Sequence, residues 1–349
     1  MPHDFQGPSR PSSRFLHHPK LRDEVFSRLQ SHWPSGEREW GAVRDHLRDR
    51  LNLPEEFFST AAEHPMRAPL LPTAIAPPAF EPESVETPDI QLESIILPLA
   101  RPVIFIQDND FGNSPLAYWQ ERLNPARDKI NASIVAVGRI ELKNHDLYEW
   151  NGTAWLVRSH VAVTNAHVAR AFAAKQNDRW VFRTNAAGKK LQSKIDFREE
   201  YDRPNEEELE VIDILYVEEG DGPDIALLQV QADPARGNGI ALAKEVSGNT
   251  EVATIGYPKF DSSVPDPDVL VSIFGGIYDV KRLSPGVVTV ATPKVLKHDC
   301  STLGGNSGST MMSLASGEAV GLHFGGSYKI SNFAVPAPVI SALLTKLGL

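Results

Sequence analysis

Two textures divide the chain. Up to about residue 131 the apolar positions recur at helical spacing. Leu21, Val25, Phe26 and Leu29 form one short stripe, and Trp40, Val43, Leu47 and Leu51 form a second that Pro54 closes. Pro34-Ser35-Gly36 separates them, with Ser35 placed to cap the second helix. Residues 1–13 are Pro, Ser and charge without periodicity, the composition of a disordered tail. Residues 1–63 therefore read as a small helical module, too small to stand without docking its apolar faces on something. Residues 64–94 read as a linker or extended arm, with prolines at 65, 69, 72, 77, 78, 82 and 88. Structured chain resumes at Ile95-Ile96-Leu97 and Val103-Ile104-Phe105-Ile106. Leu116, Trp119, Leu123 and Ile130 predict a helix over 116–131, interrupted at Pro125.

From about residue 132 the pattern changes to short β-branched runs between turn signals. Strands are predicted at Ser133–Gly138, Thr153–Val157, Val161–Thr164, Trp180–Phe182, Val211–Val217, Ile225–Val230, Val252–Gly256, Val287–Ala291, Thr310–Leu314 and Ala319–Phe324. Many short strands without long helices between them predict a mainly β fold, a barrel or a sandwich. Val339–Leu347 predicts a terminal helix.

Composition narrows the function. The chain of 349 residues exceeds one average domain, and 41% hydrophobic against 23% charged residues suffices for a real core. A net charge of −10 excludes a general nucleic-acid binder, which needs a basic surface to neutralise phosphate. The single cysteine, Cys300, permits no intrachain disulfide and favours a reducing compartment. Met1-Pro2-His3-Asp4-Phe5 lacks a signal-peptide pattern, and no apolar run reaches the ~18 to 20 residues of a membrane span. A cytoplasmic protein without a membrane partner is expected. No His-x-x-x-His or Cys-x-x-Cys pair is present, so neither metal nor cofactor is expected.

Three segments carry candidate chemistry. Leu303-Gly304-Gly305-Asn306-Ser307-Gly308-Ser309 sets a serine among glycines. Such a turn exposes the hydroxyl and aims backbone N–H groups at a developing oxyanion. Val163-Thr164-Asn165-Ala166-His167-Val168 ends an apolar run on a histidine, and Pro223-Asp224-Ile225-Ala226 opens a strand on an aspartate. Singly, each has an ordinary reading as a Gly-Ser turn, a core histidine or a strand-start aspartate. Together, in the order His, Asp, Ser, they are the parts of a nucleophilic triad.

These segments resemble the three signature regions of trypsin-like serine peptidases, over roughly residues 130–349. The resemblance implies two six-stranded antiparallel barrels, chymotrypsin-like, with the triad in the cleft between them and the protease domain covering 95–349. It implies that His167 is base then acid, Asp224 its orienting partner and Ser307 the nucleophile, with the Gly305 and Ser307 amides as oxyanion hole. Gly321-Leu322-His323-Phe324-Gly325-Gly326 and Asn306 before the serine resemble bacterial glutamyl endopeptidases, and residues 298–309 resemble cytoplasmic bacterial trypsin-like proteins. By that similarity Ser301, Thr302, His323 and Gly325 line the S1 pocket, and cleavage after Glu or Asp is expected. His323 as a mere wall residue is the competing reading. The acidic stretch 199–224, or Asp299 reaching the pocket, would instead favour basic substrates. Asn306 cannot make the ion pair by which a new N-terminal amine activates trypsin-type zymogens. Cys300, beside the site without a matched base, is expected to be a structural thiol. The implied activity is a serine endopeptidase on protein or peptide substrates, with a regulatory protein docking on the N-terminal helices. A catalytically silent scaffold on the same fold is the alternative.

Overall fold

The computed structural model describes residues 100–349 apart from 204, 262, 263, 265, 266, 328 and 329. The helical stripes at 21–51 and the Pro-rich stretch 64–94 lie outside the described residues. The first elements are β1 (Ile104–Gln107) and β2 (Asp110–Phe111), a hairpin whose turn residues Asp108 and Asn109 have φ of 57° and 59°. Two positive φ values in a two-residue loop are the mirror-type turn that matches strand twist, and Asp and Asn tolerate it best after glycine. Next come α1 (Ala117–Leu123), a 3₁₀ turn at Asn124–Ala126 carrying Pro125, and α2 (Arg127–Ile134). The strand predicted from Ser133 starts only at Val137. Ile134 completes the buried stripe Trp119, Leu123, Ile130, and the Ser133 hydroxyl donates back to the Lys129 carbonyl at 3.3 Å, so helix burial overrides β-branched propensity here.

The first barrel follows. It contains β3 (Val137–Lys143), β4 (Trp150–Arg158), β5 (Val161–Thr164), the one-turn helix α3 (Ala166–Ala169), a side hairpin of β6 (Ala173–Gln176) and β7 (Arg179–Phe182), then β8 (Gln192–Asp196), β9 (Glu208–Val217) and β10 (Ala226–Val230). Six of these close in the order β10-β5-β4-β3-β8-β9. The sequence pattern misses β8 because two of its residues, Ser193 and Asp196, are polar yet buried.

The second barrel contains β11 (Glu251–Gly256), α4 (Pro267–Phe274), β12 (Arg282–Ala291), β13 (Leu296–His298), β14 (Thr310–Ser313), β15 (Ala319–Ser327), β16 (Ser331–Pro336) and the terminal α5 (Ala337–Leu347). Its six strands run β11-β14-β15-β16-β13-β12 and close through β11 on β12, while β1 adds outside β12. Closure leaves no unpaired edge in either barrel. β12 starts five residues before the predicted Val287. Pro285 hides this part of the strand, and it falls where only β11 pairs: β1 covers Arg282 and Leu283, and β13 joins from Val288. The predicted terminal helix begins at Ala337 and ends on Gly348 in the left-handed region, φ 71°.

One apolar cluster runs through both barrels, joining Trp155, Val163 and Leu227 to Ile255, Leu283 and Leu322. A dry shared core of this kind sets the two barrels in one relative position, which a cleft between them requires. Lys281 reinforces it. Fully buried before β12, its ammonium donates to the carbonyls of Phe197 (2.7 Å) and Ile134 (3.1 Å) and lies 3.5 Å from the buried Glu200 carboxylate.

Burial pushes the Lys281 pKa from its ordinary 10.5 down to about 8, against the opposing pull of Glu200. Between those values the unfolded chain holds a proton that the folded chain has released, so this group adds stability as pH rises from about 8 to 10.5. Urea unfolding should give a midpoint that climbs across that window relative to Lys281→Met. Parallel pH profiles for the two proteins would contradict the assignment.

Candidate active site

His167 stands on α3, one residue after the helix begins. Its position follows from the register of β5 on β10, which pairs Thr164 with Ala226 and so runs Asp224 past the start of the helix. Three bonds tie the two segments. The buried Asn165 amide donates to the Asp224 carbonyl at 2.9 Å, the His167 backbone N–H to Asp224 Oδ1 at 3.0 Å, and His167 Nδ1 lies 2.5 Å from Asp224 Oδ2. Facing a carboxylate, Nδ1 carries the hydrogen and Nε2 is left as an acceptor. The imidazole is 46% exposed, so that acceptor is reachable from solvent.

Ser307 is held by both barrels. Its carbonyl accepts from the Thr153 N–H of the first barrel at 2.8 Å, and Gly308 N–H donates to the His323 carbonyl of the second at 2.9 Å. Gly308 has φ 90°, and a Cβ there would lie 1.9 Å from the Thr153 carbonyl oxygen and 2.6 Å from Thr164 Oγ1. Only glycine fits. Thr164 Oγ1 in turn donates to the Thr153 carbonyl at 2.7 Å, linking the serine turn to the residue before Asn165. At Gly152 a Cβ would lie 2.8 Å from the Val168 side chain and 3.0 Å from the Ser307 carbonyl. The neighbour of His167 and the candidate nucleophile thus pack on the same stretch of backbone.

Before the serine, Asn306 N–H donates to the Leu303 carbonyl at 3.0 Å across a turn whose third residue, Gly305, has φ 90°. That is the signature of a type II turn. A Cβ on Gly305 would meet the Tyr257 carbonyl at 2.4 Å and the Trp150 ring at 2.7 Å, whereas a Cβ on Gly304 would meet nothing within 4 Å. The sequence treats these glycines alike; the turn requires only the second. Thr153 Oγ1 donates to the Gly305 carbonyl at 2.9 Å, and Lys259 N–H to the Gly304 carbonyl at 2.5 Å. The Asn306 side chain is spent inside the turn, on the Leu303 carbonyl at 3.2 Å and on Ser309 Oγ at 3.4 Å.

The residues expected at S1 lie on two neighbouring segments. Ser301 Oγ donates to the Arg101 carbonyl at 2.7 Å, and Thr302 is buried beside it. His323 is on β15, where the register with β16 slips between His323 and Gly325. His323 Nδ1 lies 3.0 Å from Nε2 of His298, whose own Nδ1 is buried with no partner among the described residues. Burial, with His323 adding to it, holds His298 well below the usual histidine range, so it is neutral.

One expectation changes. Asp299 does not reach the pocket: Arg101 takes both its carboxylate oxygens, at 2.8 and 2.5 Å, and Val287 N–H donates to Oδ1 at 2.8 Å. Part of the acidic stretch is paired where it stands. Glu207 pairs with Arg236 at 2.8 Å, Glu219 with Lys175 at 2.5 Å, and Glu208 with Lys194. Cys300 is fully buried, and its thiol is pushed up first by burial and then by Asp299, which makes it inert. Among the described residues no group of three or more His, Cys, Asp or Glu gathers to hold a metal, and no helix is long and apolar enough to cross a membrane. Thr153 and Arg101 escape the sequence reading, since neither sits in a recognisable motif, while Asn165 and His298 lie inside the quoted segments with no role read for them.

The family model described as "Trypsin-like peptidase domain" matches residues 152–322, which contain His167, Asp224 and Ser307. Over these residues the chain is similar to trypsin-like peptidases. A probable serine protease of Lysobacter enzymogenes is 28% identical over 244 residues, 61% of this chain and 62% of that protein. The chain thus spans less than two thirds of that relative's length. Among solved structures, a serine endoprotease from Yersinia pestis is 18% identical, with 63% of this chain and 65% of that one covered at a TM-score of 0.42. The inactive form of a protease from Mycobacterium tuberculosis is also 18% identical, with 68% and 98% covered at a TM-score of 0.40.

The serine turn should discriminate sharply among its glycines. Gly304→Ala should stay within about 0.5 kcal/mol of wild type in urea unfolding, as an open surface site does. Gly305→Ala should lose at least about 1–3 kcal/mol, the cost of left-handed backbone before any clash is counted. Equal losses at the two positions would refute the turn assignment.

Proposed function

We propose that the chain is a serine endopeptidase in which Ser307 is the nucleophile, His167 the general base and then acid, and Asp224 the group that orients His167. The observation that carries this reading is the double contact of Asp224 on His167, to backbone N–H and to Nδ1, beside a serine turn clamped by both barrels. Ser307 Oγ attacks the scissile carbonyl carbon as its proton passes to His167 Nε2. The Gly305 and Ser307 amides receive the oxyanion, and collapse expels the amine, which takes the proton from His167. Water then attacks the acyl-enzyme by the same route and frees Ser307.

At the next level of detail, the substrate has an acidic P1 side chain. Neutral His298, donating from Nε2 into His323 Nδ1, would place the His323 hydrogen on Nε2, where a carboxylate is a natural acceptor. With Asp299 consumed by Arg101, no carboxylate is left at that position to favour Arg or Lys. Residues 1–94 restrain the site or dock a regulatory protein, which suits a protease acting among cellular proteins. Ser301, Thr302 and Gly325 complete the S1 walls.

A fluorophosphonate probe should label the wild-type protein and leave Ser307→Ala unlabelled. Asp224→Asn should retain the fold and lose about 10⁴-fold in kcat, because the imidazole takes the wrong tautomer. A peptide library should be cut after Glu or Asp, and cleavage confined to Arg or Lys would overturn the S1 assignment. A folded wild type that resists the probe would favour the silent-scaffold reading.

A further inference from the structure

Arg101 is wholly buried, 198 positions from the residue it pairs with. Nε and Nη2 grip Asp299 as a fork, at 2.8 and 2.5 Å, and Nη1 donates to the Ala100 carbonyl at 3.0 Å. The Trp119 indole lies 5.3 Å from the guanidinium and anchors the same carbonyl through Nε1 at 2.8 Å. The Arg101 carbonyl accepts from Ser301 Oγ, and Val103 shares an apolar cluster with Leu303. Ala100–Val103 is thus a strap laid along residues 299–303, which run straight into the Leu303–Asn306 turn and Ser307.

Stability alone does not account for the pair. Taking two charges out of water costs about what their attraction returns, and apolar replacements of similar volume are often neutral or better. Geometry does account for it. A planar fork on a carboxylate fixes direction as well as distance, and the loop it grips ends in the adjacent glycines Gly304 and Gly305, which cannot position themselves. The Asn306 side chain is committed within its own turn and offers no ionic anchor.

We propose that Arg101 is the positioning residue of the oxyanion turn: through Asp299 it holds residues 299–305 in the competent conformation, an ionic lock supplied from within the chain with no new N-terminus. The proposal rests on the serine endopeptidase reading for its catalytic consequence, not for its structural one.

The test uses the full chain with Arg101→Met and Asp299→Asn combined, which removes both charges while the Asn oxygen still accepts from Val287 N–H. The double variant should keep a thermal midpoint near wild type. Its kcat should fall by about 100-fold with little change in KM, the scale of a small misplacement of reacting groups. Hydrogen exchange should quicken at the amides of residues 300–306. Arg101→Lys, which keeps the charge and loses the fork, should recover part of the rate and part of the protection. If the double variant does not fold, Arg101→Lys alone carries the test, with slowed turnover and faster exchange expected. Wild-type exchange at 300–306 in a folded variant, or a kcat within threefold of wild type, overturns the lock. Should wild type itself resist fluorophosphonate, the peptidase reading fails, while the exchange measurement still decides the lock.

Discussion

The approach of Gly308 to Thr153 governs the arrangement of this molecule. At that point backbone meets backbone with no room for a methyl group, and the Ser307 carbonyl bonds to the Thr153 N–H. The serine turn belongs to the second barrel, yet its conformation is set by the first. Thr153 also bonds the Gly305 carbonyl through its hydroxyl, so one residue of β4 grips the turn on both sides of Asn306. From Thr153 the chain of contacts continues through Thr164 and Asn165 to Asp224. The proposed nucleophile and the proposed base are thereby linked by one continuous set of short bonds.

Charge is used in two different ways. On the outside, Glu207, Glu208 and Glu219 of the acidic run pair with an arginine and two lysines, in partly exposed pairs that contribute little individually. Inside, Lys281 and Arg101 are fully buried, and each spans elements far apart in the chain. Lys281 joins the end of α2 and the segment after β8 to the start of β12, and Arg101 joins the entry segment to the loop before the serine. Such groups are costly to desolvate, and what they return is a specified geometry.

Much of the fold is legible from pattern. Val161–Thr164 has the bounds the sequence predicts because a short apolar run between turns is a fully buried strand on any reading. Strands β8, β13 and β16 are not legible, since buried Ser193, Asp196, His298 and Asn332 interrupt the apolar alternation, the last three bonding inside. The candidate site divides in the same manner. The triad segments announce themselves because a glycine-flanked serine, a histidine at a strand end and an aspartate at a strand start have demands that local sequence must meet. His298 and Thr153 have no such local mark.

By itself the sequence determined the period of the apolar strands, where glycines stand, and the chemical types of the candidate site residues. These are properties a residue carries wherever it goes: side-chain alternation, φ preference, acid or base character. Only the tertiary structure decided that Asp299 answers Arg101 and leaves the pocket alone, that Gly305 matters and Gly304 does not, and that His298 stands behind His323. Partners so distant meet through barrel closure and strand register, and no local pattern records which strand will close on which.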